Sequence, residues 1–283
     1  MDKYLVTGAT GFIGKRLISL LKTTECEIRI ISRYAQNNFE TYICDFESES
    51  IPERALESVD TVFHLAGYAH DTRGDSKVEG AYQKINVDTT IELAKIAIDK
   101  GVKRFIFVSS VKAGSLDTVR ISSSEKKENM PEGFYGKSKR AAELKLLEMG
   151  ESSGMHISIV RPALVYGPGV KGNLRKMISG IKNGWFPPLP QTNNCRSMIH
   201  VDDLIRAMLF VANDYHTNGE IYIATDGMSY TSREIYEVMC MLADKSIPKW
   251  VVPKVLFKMI TIISPSMKSV SYTHLTLPTI YSV

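Results

Sequence analysis

Long apolar runs, paired cysteines and a strong charge of one sign are all missing from this 283-residue sequence. No stretch of about eighteen apolar residues occurs, so no membrane-spanning helix is expected. Cys26, Cys44, Cys195 and Cys240 lie far apart without a CxxC pair, which favours reduced thiols over disulfides or zinc ligands. The 35 basic and 31 acidic residues are interspersed, and a net charge of +4 is too small to indicate nucleic acid binding.

The composition is that of a globular protein. Apolar residues make up 44% and charged residues 23% of the chain, which excludes a disordered or collagen-like sequence. The length suits one large domain or two modest ones. Met1 to Val6 run directly into a glycine motif, which predicts a cytoplasmic protein without a secretory signal.

Short β-branched runs alternate with longer helical patterns over the first 165 residues. Strands are predicted at 4–7, 28–32, 41–44, 61–65, 105–109 and 156–161, and helices at 12–21, 82–100 and 135–149. Solidly apolar strands separated by helices indicate a parallel sheet covered on both faces. The expected fold class is therefore α/β, with a doubly wound parallel sheet.

The pattern changes after Pro162, where glycine and proline punctuate a loop-rich stretch. Helices are predicted at 174–182, 202–213 and 232–243 and a strand at 220–224, with Thr231 and Glu234 forming a capping box. We expect a dinucleotide-binding domain at 1–165, to which 202–225 return. A smaller, discontinuous substrate domain is expected at 166–201 and 226–270, over the carboxyl edge of the sheet.

The last residues, 271–283, continue none of these patterns. They resemble translated vector or adapter sequence, and we interpret them as a non-native tail. On that interpretation the natural C-terminus is missing and the second domain is incomplete.

A glycine-rich turn, TGATGFIG at 7–14, lies between the first predicted strand and the first predicted helix. Gly8 permits a tight turn, Gly11 allows a pyrophosphate to approach the backbone, and Gly14 allows close packing of helix and strand. The amino end of the helix would offer free N–H groups to the anion. The motif in this context predicts a nicotinamide dinucleotide site.

The residues after the second and third strands bear on the identity of the cofactor. NAD-binding proteins usually carry an acid after the second strand, whereas this chain has Arg33, which favours NADP over NAD. A solvated surface arginine is the alternative. Asp45, followed by Phe46, would accept the adenine amino group, or else is an ordinary turn aspartate.

A proton-transfer set is formed by Ser110 at the end of the fifth strand and by Tyr135 and Lys139 in the next predicted helix. A spacing of four places tyrosine and lysine on one helix face. We expect the nearby ammonium to lower the pKa of the Tyr135 phenol, making it a general base and acid. Ser110 would hold the reacting oxygen against it, and the three together indicate hydride-transfer chemistry.

At these motifs the sequence resembles the extended short-chain dehydrogenase/reductase superfamily, in particular the NAD-dependent epimerase/dehydratase family and its bacterial UDP-sugar 4-epimerase-like subgroup. The motifs TGATGFIG, HLAG at 64–67, VSS at 108–110, YGKSK at 135–139, RPALVYGPG at 161–169 and RSMIHVDDL at 196–204 carry the resemblance in the family's order. It implies a Rossmann domain, a catalytic role for Ser110, Tyr135 and Lys139, and a homodimer through the helices at 82–100 and 135–149.

The resemblance also implies roles for further residues. Asn86 would support the site, and Asn173 and Arg196 would contact the substrate diphosphate, for which the planar guanidinium of arginine is suited. Residues 185–188 would wall the nucleoside base or form loop core. The implied cofactor contacts come from Gly8, Gly11, Phe12, Ile13, Gly14, Leu65, Ala66, Gly67, Val108, Tyr135, Lys139, Pro162 and Val165.

Three functions remain open from the sequence. The first is an NAD(P)-dependent 4-epimerase of a UDP-hexose or UDP-N-acetylhexosamine that passes through a 4-keto intermediate. The second is an NADPH-dependent 4-ketoreductase of a UDP-4-keto-6-deoxy-N-acetylhexosamine, which Arg33 favours. The third is a non-catalytic NADP-binding protein, against which the intact Ser110, Tyr135 and Lys139 set argues. The expected partner is a UDP-sugar, with no nucleic acid, no membrane segment and no metal.

Overall fold

The computed structural model describes residues 1–69, 76–114, 131, 133–191 and 194–253. They form two compact units. The first takes in the described residues of 1–163 and 201–224, and the second takes in those of 164–200 and 225–253. The tail interpreted as non-native, 271–283, lies outside the described residues.

The described residues contain ten strands and seven α-helices. The strands are β1 (Asp2–Thr7), β2 (Cys26–Ser32), β3 (Glu40–Ile43), β4 (Thr61–His64), β5 (Arg104–Val108), β6 (His156–Pro162), β7 (Leu164–Tyr166), β8 (Cys195–His200), β9 (Ile221–Ala224) and β10 (Ser229–Thr231). The helices are α1 (Phe12–Leu21), α2 (Ser76–Tyr82), α3 (Thr89–Asp99), α4 (Gly133–Ser153), α5 (Gly172–Lys182), α6 (Val201–Asn213) and α7 (Ser232–Leu242). None of these helices combines the length and apolar character needed to cross a bilayer.

A seven-stranded sheet in the order β3-β2-β1-β4-β5-β6-β9 forms the centre of the first unit. All of its strand pairs are parallel, and α1 packs against α6 while α3 packs against α4. The predicted doubly wound α/β class is confirmed. Because strand order reverses between β1 and β4, their carboxyl ends form a switch point of the kind where open α/β sheets bind ligands. Thr7 and His64 face each other there in register.

The core of the first unit explains the solidly apolar strands of the sequence. Phe63, Phe105, Phe107, Leu5 and Ile31 are almost fully buried. Strands that are covered on both faces have no solvent-facing side, so neighbouring residues such as Val62 and Phe63 of β4 are both apolar and buried.

The second unit has a three-stranded sheet in the order β10-β8-β7, with α5 and α7 packed against each other. β7 runs parallel and β10 antiparallel to β8. The predicted capping box is present: the Thr231 side chain accepts from the Glu234 amide, and the Glu234 carboxylate accepts from the Thr231 amide. Leu174, Met177, Phe186 and Tyr236 belong to its apolar core.

Two parts of the secondary structure differ from the expectation. The helix predicted at 82–100 is divided into α2, a π-helical turn at Gln83–Asp88, and α3. The stretch 166–201, interpreted as loops around one helix, also holds β8. Its sequence, CRSMIH, mixes polar and apolar residues, and its partner strands lie elsewhere along the chain, so no local pattern marks it. The four cysteines form no disulfide in the structure.

Candidate active site

The glycine turn after β1 has the geometry that a dinucleotide site requires. Gly8 has a φ of +71°, in the left-handed region that favours glycine, and its carbonyl accepts the Gly11 amide at 2.9 Å. A Cβ on Gly14 would collide with the Gly8 carbonyl and lie 2.7 Å from the Ala9 Cα. Among the described residues no side chain caps the start of α1 at Gly11, so the first amides of the helix are available to an anion.

The loop after β4 packs directly against this turn. A Cβ on Gly8 would lie 2.7 Å from the Ala66 amide nitrogen, and that amide donates to the Thr7 hydroxyl at 3.2 Å. On the other side of the loop, a Cβ on Gly67 would lie 3.1 Å from the Lys139 Nζ. The loop 65–67 therefore lies between the glycine turn and the predicted catalytic lysine. These small, closely packed positions fit a bound dinucleotide.

Ser110 and Tyr135 are brought together at the carboxyl end of β5. The Ser110 hydroxyl hydrogen-bonds to the Tyr135 phenol and also accepts the Lys112 amide at 3.2 Å. A Cβ on Gly136 would collide with the Lys112 carbonyl, so glycine there allows α4 to approach the segment that follows β5. The sequence reasoning missed this role of Gly136, although the residue lies within the YGKSK motif.

Lys139 is buried beside the same site. Its ammonium donates to the Val108 carbonyl at 3.0 Å and lies 4.6 Å from the centre of the Phe107 ring. Burial lowers the Lys139 pKa to about 8, while the charge of Glu143 opposes that shift.

The expectation that Lys139 lowers the pKa of Tyr135 is wrong. Burial raises the Tyr135 pKa to about 12, the phenol of Tyr82 raises it further, and only the hydrogen bond with Ser110 lowers it. The physical reason is that desolvation disfavours the phenolate. The rings of Tyr82 and Tyr135 lie 6.1 Å apart, which contributes to that burial.

Asn86 connects the loop after β4 with the start of α4. It is fully buried in the π-helical turn. Its side-chain oxygen Oδ1 accepts the Tyr68 amide at 2.7 Å, and its side-chain Nδ2 donates to the Ser138 hydroxyl at 3.0 Å. The Ser138 hydroxyl in turn donates to the Tyr135 carbonyl at 2.9 Å. Rare π-helical turns often occur at functional sites.

A buried ion pair holds α4 on the sheet. Arg161, at the end of β6, binds both carboxylate oxygens of Glu143, which is fully buried one turn after Lys139. Sequence reasoning did not single out this pair. Glu143 and Arg161 belong to a helix and a strand that are separate in sequence, so no local spacing shows the pair.

The other predicted cofactor residues of the first unit lie at or near strand and helix ends. Arg33 is exposed after β2. The Asp45 carboxylate accepts the Glu47 amide at 3.1 Å, as in an ordinary turn, and is half-buried. Val108 and Pro162 are buried at the ends of β5 and β6. The half-buried members of the set are Phe12, Ile13, Phe46, Leu65 and Ala66.

In the second unit, Arg196 is the notable predicted site residue. It lies on β8, and its Nε and Nη2 are buried without a hydrogen-bond partner in the part of the chain that the structure describes. Burial lowers the Arg196 pKa to about 10. A buried, unpaired guanidinium fits an anionic ligand. Asn173, in the first turn of α5, and Val165, on β7, are half-buried.

Trp185 and Phe186, the two aromatic residues that precede β8, differ in exposure. Phe186 is buried in the core of the second unit, while Trp185 is 53% exposed and packs its indole over Gly180. Trp185 therefore remains available to a ligand and Phe186 does not. Elsewhere, no group of three His, Cys, Asp or Glu in the described ranges is arranged to hold a metal ion.

Comparison with known proteins gives a family and several relatives. The model of the NAD dependent epimerase/dehydratase family matches residues 4–224. The chain is 32% identical to a UDP-glucose 4-epimerase of Vibrio cholerae over 259 residues, which cover 88% of this chain and 77% of that protein. It is 26% identical to an N-acetyl-alpha-D-glucosaminyl-diphospho-ditrans,octacis-undecaprenol 4-epimerase of Escherichia coli O157:H7, over 89% of this chain and 76% of that one.

A solved structure shares the fold. The UDP-glucuronic acid 4-epimerase from Bacillus cereus, in complex with UDP-glucuronic acid and NAD, matches with a TM-score of 0.77 and 21% identity. The match covers 90% of this chain and 87% of that one.

Proposed function

The chain belongs to the NAD dependent epimerase/dehydratase family of enzymes, and from that premise we propose that it is a nucleotide-sugar 4-epimerase. Membership confirms the resemblance drawn from the motifs. The observation that carries the proposal is the contact between Ser110 and Tyr135 at the carboxyl end of β5, with Lys139 buried beside it. The 32% identical relative from Vibrio cholerae, a UDP-glucose 4-epimerase, supports the same reaction.

Tyr135 takes the proton of the C4 hydroxyl and later returns it. Ser110 orients the same sugar oxygen through its hydroxyl, and Lys139 supplies the positive charge of the site. The chemistry that NAD supplies when bound is the removal and return of a hydride at C4, with a positive ring charge that favours the Tyr135 phenolate. The glycine turn at Gly8–Gly14 and the loop 65–67 would hold that cofactor.

The substrate class is a hexose linked to a diphosphate. Both named relatives act on such a compound, one as a UDP-sugar and one as a lipid-linked diphosphate. Arg196 would bind the diphosphate, because its unpaired N–H groups match paired phosphate oxygens. Asn173 would assist it. A UDP-hexose or UDP-N-acetylhexosamine is the proposed substrate.

The assay that tests this proposal mixes purified protein with UDP-glucose or UDP-N-acetylglucosamine and no added reductant. We expect the C4 epimer to accumulate to equilibrium. Failure to convert any of a panel of diphosphate-linked hexoses would contradict the proposal.

A 4-ketoreductase is the second candidate, favoured by Arg33. This residue is exposed after β2, where a 2′-phosphate of NADP would pair with it, and NADPH is the common reductant. Consumption of NADPH with a UDP-4-keto-6-deoxy sugar, without epimerisation, would support this reaction instead. The homodimer through the helices at 82–100 and 135–149 and the cytoplasmic location stay predictions.

A further inference from the structure

His64 is a fully buried histidine that the proposed reaction does not use. It is the last residue of β4, and its ring stacks on Phe107 with centroids 5.7 Å apart. Both ring nitrogens are hydrogen-bonded: Nδ1 to the Thr7 hydroxyl at 2.6 Å and Nε2 to the Thr90 hydroxyl at 2.9 Å.

The surrounding groups assign a direction to these bonds. The Thr90 hydroxyl donates to the backbone carbonyl of Asn86 at 2.9 Å, so it accepts from the Nε2 proton of His64. The neutral ring then has an unprotonated Nδ1, which accepts from the Thr7 hydroxyl. Burial lowers the His64 pKa to about 3, which keeps the ring neutral at working pH.

The two ends of this chain of hydrogen bonds reach different parts of the proposed site. Thr7 precedes Gly8, and its hydroxyl also accepts the amide of Ala66, in the loop beside the glycine turn. At the other end, the side chain of Asn86 donates to Ser138, whose hydroxyl donates to the Tyr135 carbonyl. One imidazole thus joins the cofactor cradle to the first turn of the helix that carries Tyr135 and Lys139.

We propose that His64 is a positioning residue that sets the glycine turn through Thr7 and the catalytic helix through Thr90 and Asn86. The two nitrogens have separable tasks. The Thr7 bond governs the affinity for the dinucleotide, and the Thr90 bond governs the rate of the chemical step. The rate part of this inference rests on the proposed function, whereas the affinity part and the tautomer do not.

Two substitutions separate the tasks, because each places a polar atom at one of the two ring nitrogens. The Oδ1 of His64→Asn replaces Nδ1 and keeps the bond to Thr7, so we expect an unchanged dissociation constant for NAD and a kcat lowered about tenfold. The Nε2 of His64→Gln replaces the ring Nε2 and keeps the bond to Thr90. For this variant we expect the NAD dissociation constant to rise about tenfold with kcat at saturating NAD nearly unchanged.

His156→Gln is the matched control. His156 begins β6 and so lies at the amino ends of the parallel strands, whereas His64 lies at the carboxyl end of β4. Its ring hydrogen-bonds to Ser158 and Thr217. Both NAD affinity and kcat should stay at the wild-type values. Thermal unfolding of every variant would show that the comparison is made between folded proteins.

Nitrogen-15 NMR of the wild-type protein tests the tautomer without any substitution. We expect a neutral His64 ring with its proton on Nε2 throughout about pH 6–8, the range in which an ordinary histidine loses its proton. A proton on Nδ1, or an equal loss of affinity and rate in both His64 variants, would overturn the inference. If the wild type shows no epimerisation, the proposed function fails, and the affinity split and the tautomer still decide the role of His64.

Discussion

A buried cation of the first unit, Lys139, and a cation of the second unit, Arg196, differ in whether the protein supplies hydrogen-bond partners. In the first unit, the Lys139 ammonium donates to the Val108 carbonyl and faces the Phe107 ring. In the second, Arg196 keeps Nε and Nη2 unpaired among the described residues. A buried unpaired donor carries a desolvation cost that a hydrogen bond would offset.

The difference fits the catalytic role proposed for Lys139 and the binding role proposed for Arg196. Lys139 is held by the protein's own groups, so its position is set before any ligand binds, as a catalytic group requires. The Nε and Nη2 of Arg196 have no partner among the described residues, so they are available to bind an anion. Variants at the proposed catalytic residues of the first unit should therefore change kcat, and variants at Arg196 should change KM.

The largest expected effect is that of Tyr135→Phe. Removing the phenol hydroxyl removes the proton acceptor, so kcat should fall about 10²- to 10⁴-fold with little change in KM. Steady-state rates of epimerisation measure this, and calorimetry should show unchanged NAD binding. Tyr215→Phe, at an exposed position of the same unit, should keep wild-type rates. Turnover retained in Tyr135→Phe would refute the assigned base.

Arg196→Met should produce the complementary effect. Loss of charge-assisted hydrogen bonds should raise KM for the UDP-sugar about 10- to 100-fold with a smaller change in kcat. Its free energy of unfolding should not fall, because the substitution removes an unpaired buried charge.

Arg233→Met is the matched control for stability. Arg233 is also buried, but it donates to the Leu189 and Pro248 carbonyls and to Glu237. Its loss should lower the free energy of unfolding by about 1–3 kcal/mol. Equal destabilisation by both substitutions would break the contrast between a partnered and an unpartnered arginine.

The stability contribution of Lys139 should depend on pH. Its folded pKa of about 8 lies below the ordinary value of 10.5, so the folded state releases this proton first as pH rises. Stability should therefore increase between pH 8 and 10.5, by about 2 kcal/mol relative to Lys139→Met. Denaturant titrations at pH 7 and pH 10 measure the difference. A difference that shrinks over this range would mean that the Lys139 pKa is not lowered.

Arg33→Asp should have the smallest effect. An acid after β2 would bind ribose hydroxyls and repel a 2′-phosphate, shifting preference towards NAD over NADP by about tenfold. Dissociation constants for the two cofactors measure it. An unchanged ratio would remove the argument for NADP.

Local pattern was enough to predict most of the first unit. The helix predicted at 12–21 is α1 (Phe12–Leu21), and the motif that brackets it places Gly8 and Gly14 correctly. Such features depend on residues close in sequence. Because β8 pairs with β7 and β10, it depends on contacts between separate segments, and the sequence pattern did not show it.

The site followed the same division. The sequence motifs predicted that Ser110 and Tyr135 act on the same oxygen, but not the direction of the Tyr135 pKa shift. That direction depends on how deeply the phenol is buried beside Tyr82, which only the folded chain determines. The hydrogen bonds of His64 were hidden for the same reason, since Thr7 and Thr90 come from other elements.

The most direct test of the proposed epimerisation uses UDP-glucose deuterated at C4, in ordinary water and without added reductant. If the hydride removed at C4 returns to the opposite face of the same sugar, NMR will show UDP-galactose that keeps its deuterium at C4. Loss of the deuterium to solvent, or product formed only when NADPH is added, would contradict a 4-epimerase.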